Sequence, residues 1–336
     1  MIVRHQLSES IFQMITSILA IITNTMLFIL IKFKSPPSLG GYKYLMMYIA
    51  LFEIFYAFFD FVFLPYIYSA ASGCIIILDP IVISFHIDIL QVFDFMFAGF
   101  LGMAMAIFGI HFVYRYLVVS GNKTWTSTSP FRVAVWISIP VVVFLLWVAA
   151  SVAFLGKNSM SDGFMNYELQ AEIAYVGPFF DYRLSTEDNM HVYYGLGCIF
   201  AIGFCCFSVM IYSGFKCHFE VRALVKDSSK SYTYKSLQAQ LFYVLVAQSM
   251  IPFLLVFCPA CVLCISVYFN FSHPYFGKVL TLTNAIYPVF DPLPNMLMIR
   301  NYRTALMFWK ERFKDRRNAI VPTHVLTQKD NSSVIN

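Results

Sequence analysis

The residues best placed to do chemistry in this chain are charged side chains within long apolar segments. The third such segment ends in Gly109-Ile-His111-Phe-Val-Tyr114-Arg115-Tyr116. His111 and Arg115 are one helical turn apart, at i and i+4, so both can face the same crevice. An arginine at this end of a helix can pair with a neighbour at rest and meet a partner protein when the helices separate. The alternative is an arginine that extends its charge to the lipid headgroups.

A second polar set lies at the end of the last apolar segment. Its sequence is Tyr287-Pro288-Val-Phe-Asp291-Pro292-Leu-Pro294-Asn295-Met-Leu-Met-Ile-Arg300. The prolines free backbone carbonyls, which is tolerated in a membrane where neighbouring helices or waters satisfy them. A carboxylate such as Asp291 is too costly to leave facing lipid. We therefore expect it to point inward, towards Asn24 and Glu53, which lie at a comparable depth.

Two further carboxylates, Asp60 and Asp94, fall in the half of the membrane opposite to Arg115. An ionisable residue inside a membrane is a functional candidate by default, and these two lie where a ligand entering from that side would stop. Further candidates for the lining of the same cavity are Tyr66, Gln91, Phe95 and Gln248. The alternatives are a structural hydrogen bond between helices for the carboxylates and plain packing for the others.

No pattern indicates catalysis, a metal site or a cofactor. Cys258, Cys261 and Cys264 repeat every third residue on an apolar helix without a histidine partner, which indicates packing. No phosphate-binding loop, HExxH or GxSxG motif is present. Lys278 lies too near the end of its segment to form a retinal Schiff base in mid-membrane. We expect neither an enzyme nor a bound cofactor.

The composition requires a membrane around these residues. Of the 336 residues, 59% are hydrophobic and only 12% are charged, whereas soluble domains carry about 25% charged residues. The net charge of +5 comes from short basic stretches between apolar segments, so it does not indicate a nucleic-acid partner. The chain is expected to form a single helical bundle in a lipid bilayer.

Seven stretches are long enough to cross the bilayer as helices, each having about 20 mainly apolar residues. They cover residues 11–31, 44–66, 90–112, 133–154, 192–215, 237–267 and 279–299. Lys and Arg accumulate on cytoplasmic loops. Of the 23 Lys and Arg residues, 19 lie after spans one, three, five and seven, and only 4 lie on the other side. The N-terminus is therefore predicted to be extracellular and the C-terminus cytoplasmic.

A basic amphipathic helix is expected over residues 301–316, after the last span. Its apolar residues are Tyr302, Ala305, Leu306, Trp309 and Phe313. These positions share one face, and basic residues lie mostly elsewhere, as in helices that lie on the inner leaflet. Residues 317–336 are expected to be a disordered cytoplasmic tail. The predicted fold is thus an all-α membrane protein, a seven-transmembrane bundle of the G-protein-coupled receptor kind with a C-terminal amphipathic helix, in which residues 1–316 form one domain.

Several ordered motifs resemble the nematode chemoreceptors of serpentine receptor class r, the Str family that includes the diacetyl-type odorant receptor. The stretches are Leu39-Gly-Gly-Tyr42-Lys43-Tyr44-Leu45-Met46, Ile54-Phe55-Tyr56-Ala57, His111-Phe-Val-Tyr-Arg115-Tyr116, Leu237-Gln-Ala-Gln-Leu-Phe242 with Gln248 and Ile251-Pro252, and Tyr287-Pro288 through Asp291-Pro292-Leu293 to Ile299-Arg300. The resemblance implies an olfactory or other chemosensory receptor in the cilium of a sensory neuron. Its partners would be a small odorant or other chemical ligand and a heterotrimeric G protein.

The resemblance also implies roles for two of the motifs. Tyr114, Arg115 and Tyr116 take the place of the Asp-Arg-Tyr motif of rhodopsin-like receptors, and Asp291-Pro292 that of their Asn-Pro-x-x-Tyr motif. No acid precedes the arginine, so the resting restraint must be built differently. No cysteine lies in residues 155–190, so the common disulfide between the third helix and the second outer loop cannot form, and Cys74 is expected to be free.

The alternative function is a ligand-gated ion channel or a transporter with seven helices. A transporter predicts inverted repeats and broken mid-membrane helices in both halves of the chain. The sequence has no such repeats.

Overall fold

The structure, a computed structural model, describes residues 2–70, 73–78, 85–157, 174–180 and 189–308. The long helices are α1 (Ile2–Lys34), α2 (Tyr42–Phe63), α3 (Ile87–Val119), α4 (Pro130–Phe154), α5 (Met190–Lys226), α6 (Tyr232–Tyr268) and α7 (Pro274–Phe290). A short helix, Leu293–Met298, continues the path of α7, and residues 300–308 form a last described helix, α8.

Within the described residues, the helices α1 to α6 are long and apolar enough to cross a membrane. The seventh crossing is made by two pieces, because Pro292 has no N–H for the helical ladder and the helix is interrupted after Phe290. Residues 274–298 together extend about 37 Å, enough for a hydrocarbon core of about 30 Å. The predicted seven-helix bundle is therefore confirmed.

The helix ends differ from the predicted spans at two places that matter. The second span was predicted to reach Tyr66, but α2 ends at Phe63 because Leu64 adopts a left-handed conformation, φ 43° and ψ 54°, before Pro65. Proline disfavours helical geometry in the residue before it. The fifth helix was predicted to end at residue 215 but continues to Lys226, about 16 Å further.

A three-stranded antiparallel sheet, which the sequence did not predict, covers the end of the bundle opposite to Arg115. The strands are β1 (Tyr66–Ala70), β2 (Gly73–Leu78) and β3 (Ala174–Val176), in the order β1-β2-β3. The sheet is fixed to α7, because the Ile67 N–H donates to Thr281 Oγ1 at 2.9 Å. Gly277 permits this close approach, since a Cβ there would lie 2.3 Å from the Ile67 carbonyl oxygen.

The inner end of α7 leads into α8 as the sequence predicted, for the part that is described. Tyr302 is fully buried, and its hydroxyl lies 2.7 Å from the Ser35 hydroxyl. Ala305 is buried and Leu306 is half-buried against the same core. Residues 309–336, which include Trp309, Phe313 and the predicted tail, lie outside the described residues.

The sixth helix contains a local distortion in its outer half. Residues Phe253–Phe257 form a π-helical turn between Pro252 and Pro259. Such turns arise where the regular ladder is broken, and they are frequent at functional sites.

Candidate functional site

The predicted switch arginine links two helices at the end of the bundle opposite to the sheet. Arg115 on α3 is 1% exposed, so it does not extend to the headgroups. Its Nη2 donates to the Gln238 side-chain oxygen at 2.7 Å and to the Gln238 backbone oxygen at 3.0 Å. Gln238 lies near the start of α6 and is also buried. The sequence did not indicate which residue would restrain Arg115. In the structure, its contact is with Gln238 of α6.

Aromatic residues from α2 and α3 enclose the arginine. The guanidinium lies 5.1 Å from the ring centroid of Tyr42, whose hydroxyl is 3.2 Å from His111 Nδ1. His111 Nε2 lies 3.2 Å from the Leu45 carbonyl oxygen, so the imidazole connects α3 with α2. His111 and Arg115 thus meet the same tyrosine, as their i, i+4 spacing suggested.

The two tyrosines that flank Arg115 have different surroundings. Tyr114 is buried, stacks on Tyr42 at 5.8 Å, and donates its hydroxyl to the Thr126 carbonyl oxygen at 2.9 Å. Tyr116 is half-buried and packs against the main apolar core. The hydrogen bond from Tyr114 to Thr126 fixes the loop between α3 and α4 to the inner end of α3.

A chain of amide and carboxylate groups joins α6 and α7 in the middle of the bundle. Gln248 donates to Asp291 Oδ2 at 2.5 Å and accepts from Asn295 Nδ2 at 2.8 Å. Asn24 on α1 donates to the Pro288 carbonyl oxygen at 2.8 Å, an oxygen that Pro292 leaves without its usual helical donor. Gln248, predicted as a ligand contact, is therefore part of this network.

The network has more acceptors than donors. Glu53 lies close enough to Asp291 for their charges to interact. Both Glu53 oxygens, Asp291 Oδ1 and Asn24 Oδ1 have no hydrogen-bond partner among the described residues. Each unsatisfied buried group costs about 1–3 kcal/mol. These oxygens are therefore available to accept hydrogen bonds.

The remaining switch candidates, Tyr287 and Arg300, lie near the end of α7 and at the start of α8. Tyr287 is buried one turn before Asp291, and its ring packs on that of Tyr56 with centroids 5.4 Å apart. Arg300 is exposed at the start of α8 and does not reach the network.

Two of the predicted ligand contacts in the outer half, Asp60 and Gln91, form hydrogen bonds with other parts of the protein. Asp60 accepts from the Ser17 hydroxyl at 2.9 Å. Gln91 binds β3, donating to the Tyr175 carbonyl oxygen at 2.7 Å and accepting from its N–H at 3.2 Å. Asp94 is fully buried, with no hydrogen-bond partner in the described part of the chain.

The two aromatic ligand candidates, Tyr66 and Phe95, do not line the cavity described below. Tyr66 is the first residue of β1, and Phe95 on α3 packs against the loop after α4 at Gly156. Depth in the membrane therefore predicted none of these residues' partners, because the direction in which each side chain points was unknown.

A cavity of about 170 Å³ lies beneath the sheet, between helices α2 to α7. None of the six predicted ligand contacts lines it. Side chains around it include Tyr56, Phe97, Trp147, Ile199, Leu263 and Asn284. The sequence signal that could have indicated them is weak, since most are apolar residues like those facing lipid.

Comparison with known proteins identifies the family. The sequence model of the serpentine type 7TM GPCR chemoreceptor Str family matches residues 9–307. G-protein coupled receptor str-217 of Caenorhabditis elegans is 28% identical over 315 residues, which are 88% of this chain and 90% of that protein. Serpentine receptor class r-10 of the same species is 23% identical over 281 residues, 80% and 81% of the two chains.

The fold is also that of a solved receptor. The crystal structure of squid rhodopsin matches with a TM-score of 0.61 at 16% identity, covering 95% of this chain and 92% of the other. The matched family consists of receptors, which agrees with the expectation of a protein that is not an enzyme and does not favour a channel or a transporter. The chain belongs to the Str family of serpentine seven-transmembrane chemoreceptors and is a G-protein-coupled chemosensory receptor.

Proposed function

We propose that the receptor binds a small environmental chemical, such as an odorant, in the cavity beneath the sheet. Binding shifts the population towards a state in which the inner ends of α3 and α6 separate, and a heterotrimeric G protein then enters the open inner face. The charge distribution of the loops supports an extracellular N-terminus and a cytoplasmic C-terminus. Kinship with the family supports placement in the membrane of a sensory-neuron cilium.

The observation that carries this proposal is the buried contact between Arg115 and Gln238. Removing a guanidinium from water costs several kcal/mol, which must be offset by hydrogen bonds. Here both bonds from Nη2 go to one residue of α6, and Nε has no partner among the described residues. Separation of α6 from α3 breaks both bonds and exposes the arginine, so this contact distinguishes a closed inner face from an open one.

The polar network offers a physical connection between the cavity and this contact. Tyr287 lines the cavity and precedes Asp291 by one turn on α7. Asp291 accepts from Gln248, which lies on the same helix as Gln238. A ligand that displaces Tyr287 can thereby alter a bond to α6. We assign Pro288 and Pro292 the role of loosening α7 here, and the exposed Arg300 a contact with the G protein or the headgroups.

The test uses the full-length receptor expressed at the cell surface. A panel of volatile and water-soluble compounds is applied with a calcium or cyclic-nucleotide readout, in wild type and in Arg115→Ala. We expect evoked signals that Arg115→Ala abolishes at equal surface expression. Full signalling by the variant would refute the coupling role. Ligand-evoked current in cells that lack G proteins would indicate a channel instead.

A further inference from the structure

Basic side chains cluster where the end of α1, the start of α2 and α8 meet, at the same end of the bundle as Arg115. This cluster, called the basic junction below, consists of Lys32, Lys34, Lys43, Arg300 and Arg303. Lys43 is half-buried and the other four are exposed. Within the described residues, none of the five forms an ion pair with an acidic side chain. Their charge is therefore not neutralised by any described neighbour.

A hydrogen bond joins the end of α1 to α8. The Ser35 hydroxyl lies 2.7 Å from the Tyr302 hydroxyl. Lys34 directly precedes this serine, and Arg303 directly follows this tyrosine. Tyr302 is fully buried, in an apolar cluster that also contains residues of the last turns of α1. The backbones of Lys34 and Arg303 are therefore held near one another, although they lie far apart in the sequence.

The other cations of the basic junction are connected in a similar way. Lys43 Nζ donates to the Lys32 carbonyl oxygen at 2.8 Å, so the first turn of α2 contacts the last turn of α1. Arg300 and Arg303 are three residues apart on α8, and residues at this spacing are neighbours on a helix surface. The five cations thus belong to one region of the surface, built from three elements.

Exposed aromatic side chains place the basic junction at the membrane surface. Phe33, between Lys32 and Lys34, is 68% exposed, and Lys32 Nζ lies 5.4 Å from the centre of its ring. Tyr44, next to Lys43, is 48% exposed. Aromatic rings beside lysines are typical of the boundary between the hydrocarbon core and the headgroups. The basic junction therefore lies at the depth of the lipid headgroups.

The part of the chain that follows α8 has too few acidic side chains to neutralise the basic junction. Residues 309–336 contain six Lys and Arg residues and three Asp and Glu residues. Six minus three gives this segment a side-chain charge of +3. It adds positive charge to this end of the protein, whatever its position. A partner for the five cations must therefore be an anion from outside the chain.

We propose that the basic junction binds the headgroup of a polyphosphorylated inositol lipid in the inner leaflet. Arginine binds phosphate through paired hydrogen bonds, and lysine binds it as a point charge. Clusters of about four to eight Lys and Arg residues beside a membrane helix are typical of such sites. A lipid with a single negative charge can engage only part of the basic junction, whereas several phosphates on one ring can engage cations from all three elements.

This assignment goes beyond the proposed function and takes from it only that this end of the bundle faces the cytoplasm. The bound headgroup links α8 to the ends of α1 and α2. Because the lipid binds only where the three elements are packed together, it stabilises the folded receptor.

The experiment uses the purified full-length receptor in phosphatidylcholine nanodiscs. Short-chain phosphatidylinositol bisphosphate is titrated, bound lipid is counted by native mass spectrometry, and the Tm is measured. Phosphatidylserine at equal total charge and soluble inositol trisphosphate are the comparison probes. We expect the inositol lipid to bind and to raise the Tm, with weaker binding at high salt. Equal effects of phosphatidylserine or of free inositol trisphosphate, or no binding of the inositol lipid, would overturn the assignment.

Matched variants test the residues. Lys34→Gln combined with Arg303→Gln should weaken binding about thirtyfold, equivalent to about 2 kcal/mol, since each cation contributes about 1 kcal/mol. Arg222→Gln combined with Lys226→Gln is the control, because it removes the same two charges from exposed positions on α5 at the same end of the bundle. Lys34→Arg combined with Arg303→Lys keeps both charges and should retain binding. Equal weakening in the first two double variants, or wild-type binding in the first, would contradict the assignment.

A separate measurement distinguishes this assignment from the proposed orientation. Nanodiscs present lipid on both faces, so binding there does not depend on which end of the receptor is cytoplasmic. An epitope tag after Asn336 should be stained by antibody only in permeabilised cells. Staining of intact cells would show that the proposed orientation, and with it the inner leaflet, is wrong. An internal tag without lipid binding in nanodiscs would show that only the lipid assignment is wrong.

Discussion

Replacement of Gln238 by alanine should raise the activity of the receptor in the absence of ligand. The variant removes the 2.7 Å bond from Arg115 Nη2 to the side-chain oxygen and leaves the bond to the backbone oxygen. A hydrogen bond to a charged group contributes about 1.5–3 kcal/mol, and each 1.4 kcal/mol is a factor of ten in population. If about 1% of the wild-type receptor is active, about 10–60% of the variant should be.

The assay is ligand-free nucleotide exchange on a purified G protein, normalised to the amount of folded receptor. Gln240→Ala is the matched control, because Gln240 lies on the same helix but, within the described residues, donates only to the neighbouring Ser236 hydroxyl, at 3.2 Å. Gln238→Glu is the opposite perturbation. Its carboxylate would form a charge-assisted bond with the arginine and should lower basal exchange below wild type.

A flat result would refute the reasoning. If Gln238→Ala, Gln240→Ala and wild type show the same basal exchange, the α3–α6 contact does not restrain the receptor. If Gln238→Glu raises exchange as Gln238→Ala does, the effect comes from general loosening of the helix and not from loss of the bond.

Three other substitutions should have distinct effects. Gln248→Leu leaves two buried polar partners unsatisfied, and we expect a lower Tm by thermal denaturation, with a loss of about 2–4 kcal/mol; an unchanged Tm would disprove the network's role in stability. Gly277→Val places a side chain against the Ile67 carbonyl, so ligand-evoked exchange should be lost while basal exchange persists; normal ligand potency would show that the sheet is not needed. Lys278→Met leaves the buried Glu9 carboxylate without its ion-pair partner, which lies at 2.5 Å. The variant should lose about 1–3 kcal/mol of stability. Its surface expression should fall, as measured by antibody staining of intact cells.

The sequence predicted the bundle because membrane crossing imposes a length and a composition that single segments reveal. It also indicated that Asn24, Glu53 and Asp291 would avoid lipid, and all three are buried in the structure. The cost of exposing a polar group to hydrocarbon rises with depth, and depth can be counted along a helix.

Contacts that depend on the rotation of a helix were not predictable in this way. Gln238 is a polar residue near a helix end, where solvent exposure is the ordinary expectation, yet it is 1% exposed. Asp94 lies at the predicted depth but does not line the cavity. Successive residues turn by about 100° around a helix, so a small error in rotation exchanges a ligand contact for a packing contact.

The sheet was missed for another reason. Its second strand, Gly73–Leu78, is apolar on both faces, since one face covers the cavity and the other packs on tyrosines of β1 and β3. Such a strand lacks the alternation by which a half-exposed strand is predicted. A continuous apolar run next to a membrane span is more easily assigned to the span.

The central claim is that α3 and α6 separate at their inner ends when the Arg115–Gln238 contact is lost. Electron spin distance measurements between labels at Ser120 and Thr233, both exposed, test it directly. The labels are carried on unnatural side chains, so that the native cysteines stay in place. We predict a longer distance, or a larger share of a long-distance population, in Gln238→Ala than in Gln238→Glu, and a further increase when the G protein binds. Identical distributions in the two variants, with and without the G protein, would contradict the account.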